Sequence, residues 1–162
     1  MLTWMIDSLS RDGVSIWIDE DQALRLSGQE TNLFILQDGQ VGELLQTLET
    51  EAGNGSQPSI AVDVSLLNVT WQAPPHYKYR FRLRSYTRKV MRTPTLNIPE
   101  KGIIPVTESG FQIELPCKSD GFASFLIALK IIPPHRRHTP VIQLAQVLRK
   151  TCSMDGNNHT RL

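Results

Sequence analysis

Two cysteines among 162 residues are too few for a disulfide-dense scaffold, and aromatic residues make up only 7% of the chain. No apolar run approaches the roughly 20 residues of a membrane-spanning helix. Phe122 to Ile132 is apolar but strand-sized, and Pro133-Pro134 ends it. Charge of neither sign is in excess: 17 Lys and Arg meet 16 Asp and Glu, so whole-chain charge predicts no polyanion partner. A nucleophile elbow, a P-loop and a metalloprotease motif are all missing. These gaps exclude the enzyme classes that short motifs reveal and leave only a noncontiguous catalytic site. The expectation is a non-enzyme without a cofactor.

What the chain does contain fits one domain with one core. Val14–Ile18 reads as a strand. Asp19 with Gln22 three residues on forms a capping box, and Gly28 stops the short helix that contains Ala23, Leu24 and Leu26. Asn32–Gln37 is strand-like, Val41–Ala52 carries Leu44, Leu45 and Leu48 on one helical face, and Gly53-Asn54-Gly55-Ser56 is a loop. The period then becomes two: Ile60, Val62 and Val64 alternate with Ala61, Asp63 and Ser65. Strand-like runs follow at Leu67–Gln72, Tyr77–Tyr86, Thr95–Ile98, Phe111–Leu115, Phe122–Ile132 and Val141–Leu148. Short strands between Pro and Gly turns imply an all-β sandwich or barrel.

Local charge is more informative than net charge. Alternation in His76 to Arg84 sets Lys78, Arg80, Arg82 and Arg84 on one face and Tyr77, Tyr79, Phe81 and Leu83 on the other. At about 6.8 Å between same-face positions, four cations form a ladder suited to a sulfated polysaccharide. Arg88, Lys89 and Arg92 extend it if the following loop folds back. The competing reading is an ordinary solvated face, but four like charges without an acid repel one another. Nucleic acid is a poorer fit, because the aromatics that could stack on bases alternate to the opposite, core-filling face.

His135-Arg136-Arg137-His138 reads as a solvated hairpin loop, since two histidines there lack convergent Cys or carboxylate partners for zinc. Asp19-Glu20-Asp21 lacks EF-hand spacing and suits a helix N-terminus. Asn68-Val69-Thr70 and Asn158-His159-Thr160 are N-glycosylation sequons. Cys117 and Cys152, taken alone, could equally be two buried thiols.

Leu67-Asn68-Val69-Thr70-Trp71-Gln72-Ala73, Leu115-Pro116-Cys117, Ala123-Ser124-Phe125 and Lys150-Thr151-Cys152 occur in an order that resembles a WIF domain. That family includes the Wnt inhibitory factors and, more distantly, the Ryk ectodomains. Pro94-Thr95-Leu96-Asn97-Ile98, Gly102-Ile103-Ile104-Pro105 and Leu129-Lys130-Ile131 look most like its invertebrate branch, which includes the insect protein Shifted. The expected organisation is an N-terminal extension over 1–12, a WIF domain over 13–152 and a disordered tail over 153–162.

The resemblance selects an immunoglobulin-like β-sandwich with one or two short helices. It implies a Cys117–Cys152 disulfide, an oxidising compartment and a glycan at Asn68, whereas Asn158, in the unmatched tail, is an acceptor by its sequon alone. It further implies a secreted, extracellular module for lipid-modified Wnt or Hedgehog, which the basic ladder would anchor to heparan sulfate proteoglycans. An apolar cavity inside the sandwich would take an acyl chain or phospholipid. Apolar position nominates Trp17, Leu24, Leu26, Phe34, Trp71, Tyr79, Phe81 and Phe125 as its lining, although core packing alone would also explain each of them. Met1 to Asp7 shows no signal peptide, and the EGF-like repeats of the Wnt inhibitory factors do not follow Cys152, so a trimmed chain is expected. The alternatives are a glycosaminoglycan-binding matrix module and a fragment of a Ryk-like receptor ectodomain.

Overall fold

A computed structural model describes residues 13–18, 22, 33–37, 40–41, 59–135 and 140–154, and gives side chains for all of these except 33, 34, 37, 40 and 41. Eleven strands occur among the described residues: β1 (Ser15–Ile18), β2 (Leu33–Gln37), β3 (Gln40–Val41), β4 (Ser59–Ile60), β5 (Leu66–Gln72), β6 (Lys78–Ser85), β7 (Thr95–Leu96), β8 (Lys101–Ile103), β9 (Ser109–Glu114), β10 (Gly121–Ile132) and β11 (Ile142–Cys152). They form two sheets, ordered β3-β2-β1-β5-β9-β7 and β4-β11-β10-β6-β8, in an all-β immunoglobulin-like sandwich. Every pairing is antiparallel except that of β4 with β11.

Alternation explains which side of each strand is buried. β6 alternates perfectly, burying Tyr79, Phe81 and Leu83 and exposing Lys78, Arg80, Arg82 and Arg84. β5 and β9 answer from the other sheet with Leu67, Val69, Trp71, Phe111 and Ile113. Trp71 lies 4.8 Å from Tyr79 and 4.5 Å from Phe111 between ring centroids, so the aromatic rings cross-link the sheets at one end of the core. Tyr79 also donates its hydroxyl to the Pro99 carbonyl at 2.7 Å. Gly102 permits that seat, because a Cβ there would come within 3.2 Å of the Tyr79 ring.

The structure departs from sequence expectation in places. The alternating run from Ile60 to Val64 is a strand only through Ile60; a turn follows, with the Val64 amide donating to the Ala61 carbonyl at 3.1 Å and Val62 exposed. The cause lies 88 residues away. Lys150 points inward, is wholly buried, and donates from Nζ to the carbonyls of Ala61 (2.9 Å), Val62 (3.1 Å) and Thr151 (3.1 Å). Gathering the first two carbonyls around one ammonium holds the turn against β11.

Val41, expected to open a helix, belongs to β3, and the rest of that expected helix lies outside the described residues. Gln22 has helical backbone, as the first expected helix requires, while Ala23 to Gly28 lie outside the described residues. β8 was not expected: three residues including a glycine give too little pattern. β11 runs on to Cys152, past the expected end at Leu148, because Arg149 and Lys150 pair with β4 and the last cysteine is tied to Cys117.

Burial pushes the Lys150 ammonium below the usual lysine pKa, with Asp63 pulling it back up. The unfolded chain therefore holds this proton more tightly, so Lys150 contributes a rise in stability as pH climbs through the window just below 10.5. Tyr79, whose pKa burial raises, acts oppositely above pH 10. Replacing Lys150 by Met should cost about 2 kcal/mol near neutral pH, through carbonyls left without a donor. It should also remove the rising part of the alkaline profile. Denaturant titrations of both proteins across that range would test this; parallel curves of equal midpoint would refute it.

Candidate functional site

Between the sheets lies an apolar cavity of about 150 Å³. β1, β5 and β9 line it with Ile16, Ile18, Leu67, Val69, Phe111 and Ile113, and β6, β10 and β11 with Phe81, Ile127, Leu129, Leu144 and Leu148. Among the described residues, the polar side chains that line it are Ser59 and Gln146, beside Ile35 and Ile60. Apolar walls with a few polar groups at the margin are the chemistry that an apolar ligand group would require.

Of the residues nominated from sequence, Phe81 lines the cavity. Trp71 and Tyr79 belong to the adjacent aromatic cluster, and Phe125 is wholly buried in the core. Trp17 alternates with Ile16 and Ile18 and shares the outer face of its sheet with Thr70, its register partner on β5. Leu24, Leu26 and the Phe34 side chain lie outside the described residues. Size was a poor guide, since Trp71, Tyr79 and Phe125 pack into the core while the cavity is lined mostly by aliphatic residues together with Phe81 and Phe111. The inward parity of β5, β9 and β10 was the usable signal.

The basic ladder is exposed along the outer face of the second sheet. Register adds cations that sequence separation concealed. Arg80 pairs with Lys101 on β8 and Lys130 on β10, and Arg149 on β11 faces the same way opposite Ser124. Strands β4, β6, β8, β10 and β11 contribute no Asp or Glu. Lys130 marks the outward parity of an otherwise apolar strand, and that mark was legible. Arg88 and Lys89 are exposed in a turn at the Arg84 end, closed by the Val90 and Met91 amides donating to the Thr87 carbonyl. Arg92 leaves this face, its amide donating to the Pro116 carbonyl on the way to β7.

Asn68 is exposed on the outer face of the first sheet. Gln112 Nε2 donates to its Oδ1 at 2.9 Å, and its own amide donates to Gln22 Oε1 at 2.6 Å. Asn97 Oδ1 accepts from the Gln112 amide at 2.7 Å. These amides border a polar groove and leave Asn68 Nδ2 as the atom a glycan would join. Asn158 lies outside the described residues. Cys117 and Cys152 form a disulfide, with Met91 and Cys117 also bridged through backbone. His135 is exposed, and His138 lies outside the described residues. Among the described residues no group of three metal-binding side chains converges, and no helix is long and apolar enough to cross a membrane.

The WIF domain family model matches residues 16–152, nearly the whole span that contains the cavity, the basic face and the disulfide. The chain belongs to the WIF domain family. Human Wnt inhibitory factor 1 is 30% identical over 148 residues, covering 87% of this chain and 38% of that protein. Protein shifted of Drosophila melanogaster is also 30% identical, over 166 residues, covering 93% of this chain and 36% of its own length. Mouse tyrosine-protein kinase RYK is 26% identical over 141 residues, covering 86% of this chain and 22% of the kinase. This WIF chain thus spans little more than a third of the inhibitory factors it matches. Equal identity to the human factor and to Shifted gives the invertebrate branch no preference.

Proposed function

We propose that this WIF domain is a secreted, extracellular binding module for lipid-modified morphogens of the Wnt or Hedgehog kind. The observation that carries the reading is the apolar cavity between the sheets, whose polar lining among the described residues is Ser59 and Gln146. Part of an acyl chain would occupy it while the protein portion of the ligand rests outside. Similarity to Wnt inhibitory factor 1 and to Shifted supports this assignment, and the disulfide suits an oxidising compartment. A glycan at Asn68 is part of the same proposal, as is a domain over 13–152 between an N-terminal extension and a tail. Binding is the whole activity in this reading, with no catalytic step. The test is sensor binding of the oxidised domain to Wnt and Hedgehog, each with and without its lipid. Lipid-dependent binding to one supports the proposal, and equal binding of native and delipidated ligand removes cavity capture.

The outer basic face supports a second contact, with heparan sulfate, so that capture of the ligand is coupled to retention at the cell surface. Charge neutralisation there would release counterions and make binding fall steeply with salt. Replacing Arg80, Arg82 and Arg84 together by Ala should lower the salt needed to elute the domain from heparin and flatten the salt dependence by a log–log slope of about 2. An unchanged elution position would remove the heparan sulfate contact. Because the face and the cavity are separate surfaces, a matrix module that binds polysaccharide without any morphogen is the alternative. Heparin binding together with no binding to either lipidated ligand would favour it.

A further inference from the structure

One end of the basic face carries exposed rings as well as cations. β6 pairing continues one residue past the strand, with the Tyr86 amide donating to the Ser124 carbonyl at 2.8 Å, which puts Tyr86 beside Ser124 on the outer face. Tyr86 is 57% exposed. Phe122 lies two residues back along β10 on the same face and is 60% exposed. Arg149, the partner of Ser124 on β11, holds its guanidinium 4.9 Å from the centroid of the Phe122 ring. Arg84 flanks the group one register step along, opposite Leu126. Small Ser124 therefore sits among two exposed rings and two guanidinium groups.

Neither ring is needed by the core, which lies on the opposite side of the sheet. Two exposed rings on one face, flanked by guanidinium groups, offer an apolar surface that a partner can cover. Its chemistry is mixed: flat π faces suit the C–H face of a pyranose ring, and planar guanidinium groups suit sulfate or carboxylate. Arg149 Nε is buried and has no hydrogen-bond partner among the described residues. Its guanidinium lies over the Phe122 ring.

We propose that Tyr86, Phe122, Arg84 and Arg149 form a pyranose subsite that receives one sulfated or uronic sugar ring at the end of the cationic ladder. The proposal rests on the polysaccharide reading of the basic face and gives that face a preference for sugar over bare polyanion. Arg80, Arg82 and Lys78 supply charge along the chain, while the two rings read its pyranose character.

The test compares the wild-type domain with the Tyr86→Ala/Phe122→Ala variant against two probes of similar charge, a heparin-derived oligosaccharide and linear polyphosphate. Both substitutions are at exposed positions, and circular dichroism would verify the fold. Loss of the rings should weaken oligosaccharide binding about fivefold or more and leave polyphosphate binding unchanged. Equal weakening toward both probes, or none toward either, would overturn the subsite. Vesicles containing phosphatidylserine supply a third arm. Loss of vesicle binding with oligosaccharide affinity intact would assign the rings to a membrane and overturn the proposal. A wild-type domain that binds no heparin at physiological salt would instead defeat the polysaccharide reading itself, and the subsite with it.

Discussion

Removing the acyl chain from a bound morphogen should weaken its binding to this domain by two to three orders of magnitude. A cavity of about 150 Å³ is the size of one that accepts a benzene ring, so it has room for about six carbons. At about 0.8 kcal/mol per buried methylene, full occupancy supplies about 5 kcal/mol. Ordering the chain offsets part of that, which sets the smaller fold-change. The complementary change is in the protein. Leu144→Phe places a ring into the cavity from a half-buried position on β11, where overpacking costs least. It should abolish most of the difference between native and delipidated ligand while leaving thermal stability near wild type. Sensor measurements with both ligands would decide the matter. An unchanged lipid dependence in a folded Leu144→Phe variant would place the acyl chain elsewhere.

Breaking the Cys117–Cys152 bond should destabilise the domain by about 3–4 kcal/mol. The bond closes a 35-residue segment, and on the chain-entropy model that closure restricts the unfolded ensemble by this amount. Native contacts at the same place add to the effect. Cys152 ends β11 next to the buried Lys150, and Cys117 bridges Met91, whose carbonyl accepts from the buried Ser85 hydroxyl at 2.7 Å. The disulfide thus ties the last strand of the second sheet to the connection leaving β6. Cys117→Ser/Cys152→Ser, compared with wild type in urea, should show a lower midpoint with a larger m-value, since the unfolded chain becomes more open. Non-reducing mass measurement of the wild type should read two hydrogens below the reduced form. Equal stability of the double variant would mean that packing alone holds the terminus of β11.

Both the cavity and the basic face were only partly legible beforehand. The ladder from Lys78 to Arg84 could be read directly, because period-two alternation in a single strand is a local property. Lys101, Lys130 and Arg149 join it only through hydrogen-bond register between strands distant in sequence. Tyr86 and Phe122 show the same limit. One follows a strand and the other opens an apolar run, and nothing local says that both rings reach the outer face at the same end.

Strand existence, inward parity and the cysteine motif were present in the order of residues, because each follows from steric alternation or from a family pattern carried by contiguous segments. The tertiary structure decided where space remains between the sheets. Trp71 and Tyr79 fill one end of the core and Phe125, opposite Ser85, fills the other, whereas Val69, Ile113 and Ile127 between them line the volume that remains. It also decided that Ile60 to Val64 turns, since the buried ammonium of Lys150 collects carbonyls that local alternation would have assigned to a ladder. Side-chain type fixes which face a residue prefers. Only packing between distant strands fixes which faces meet, how completely they fill the space, and which charges become neighbours.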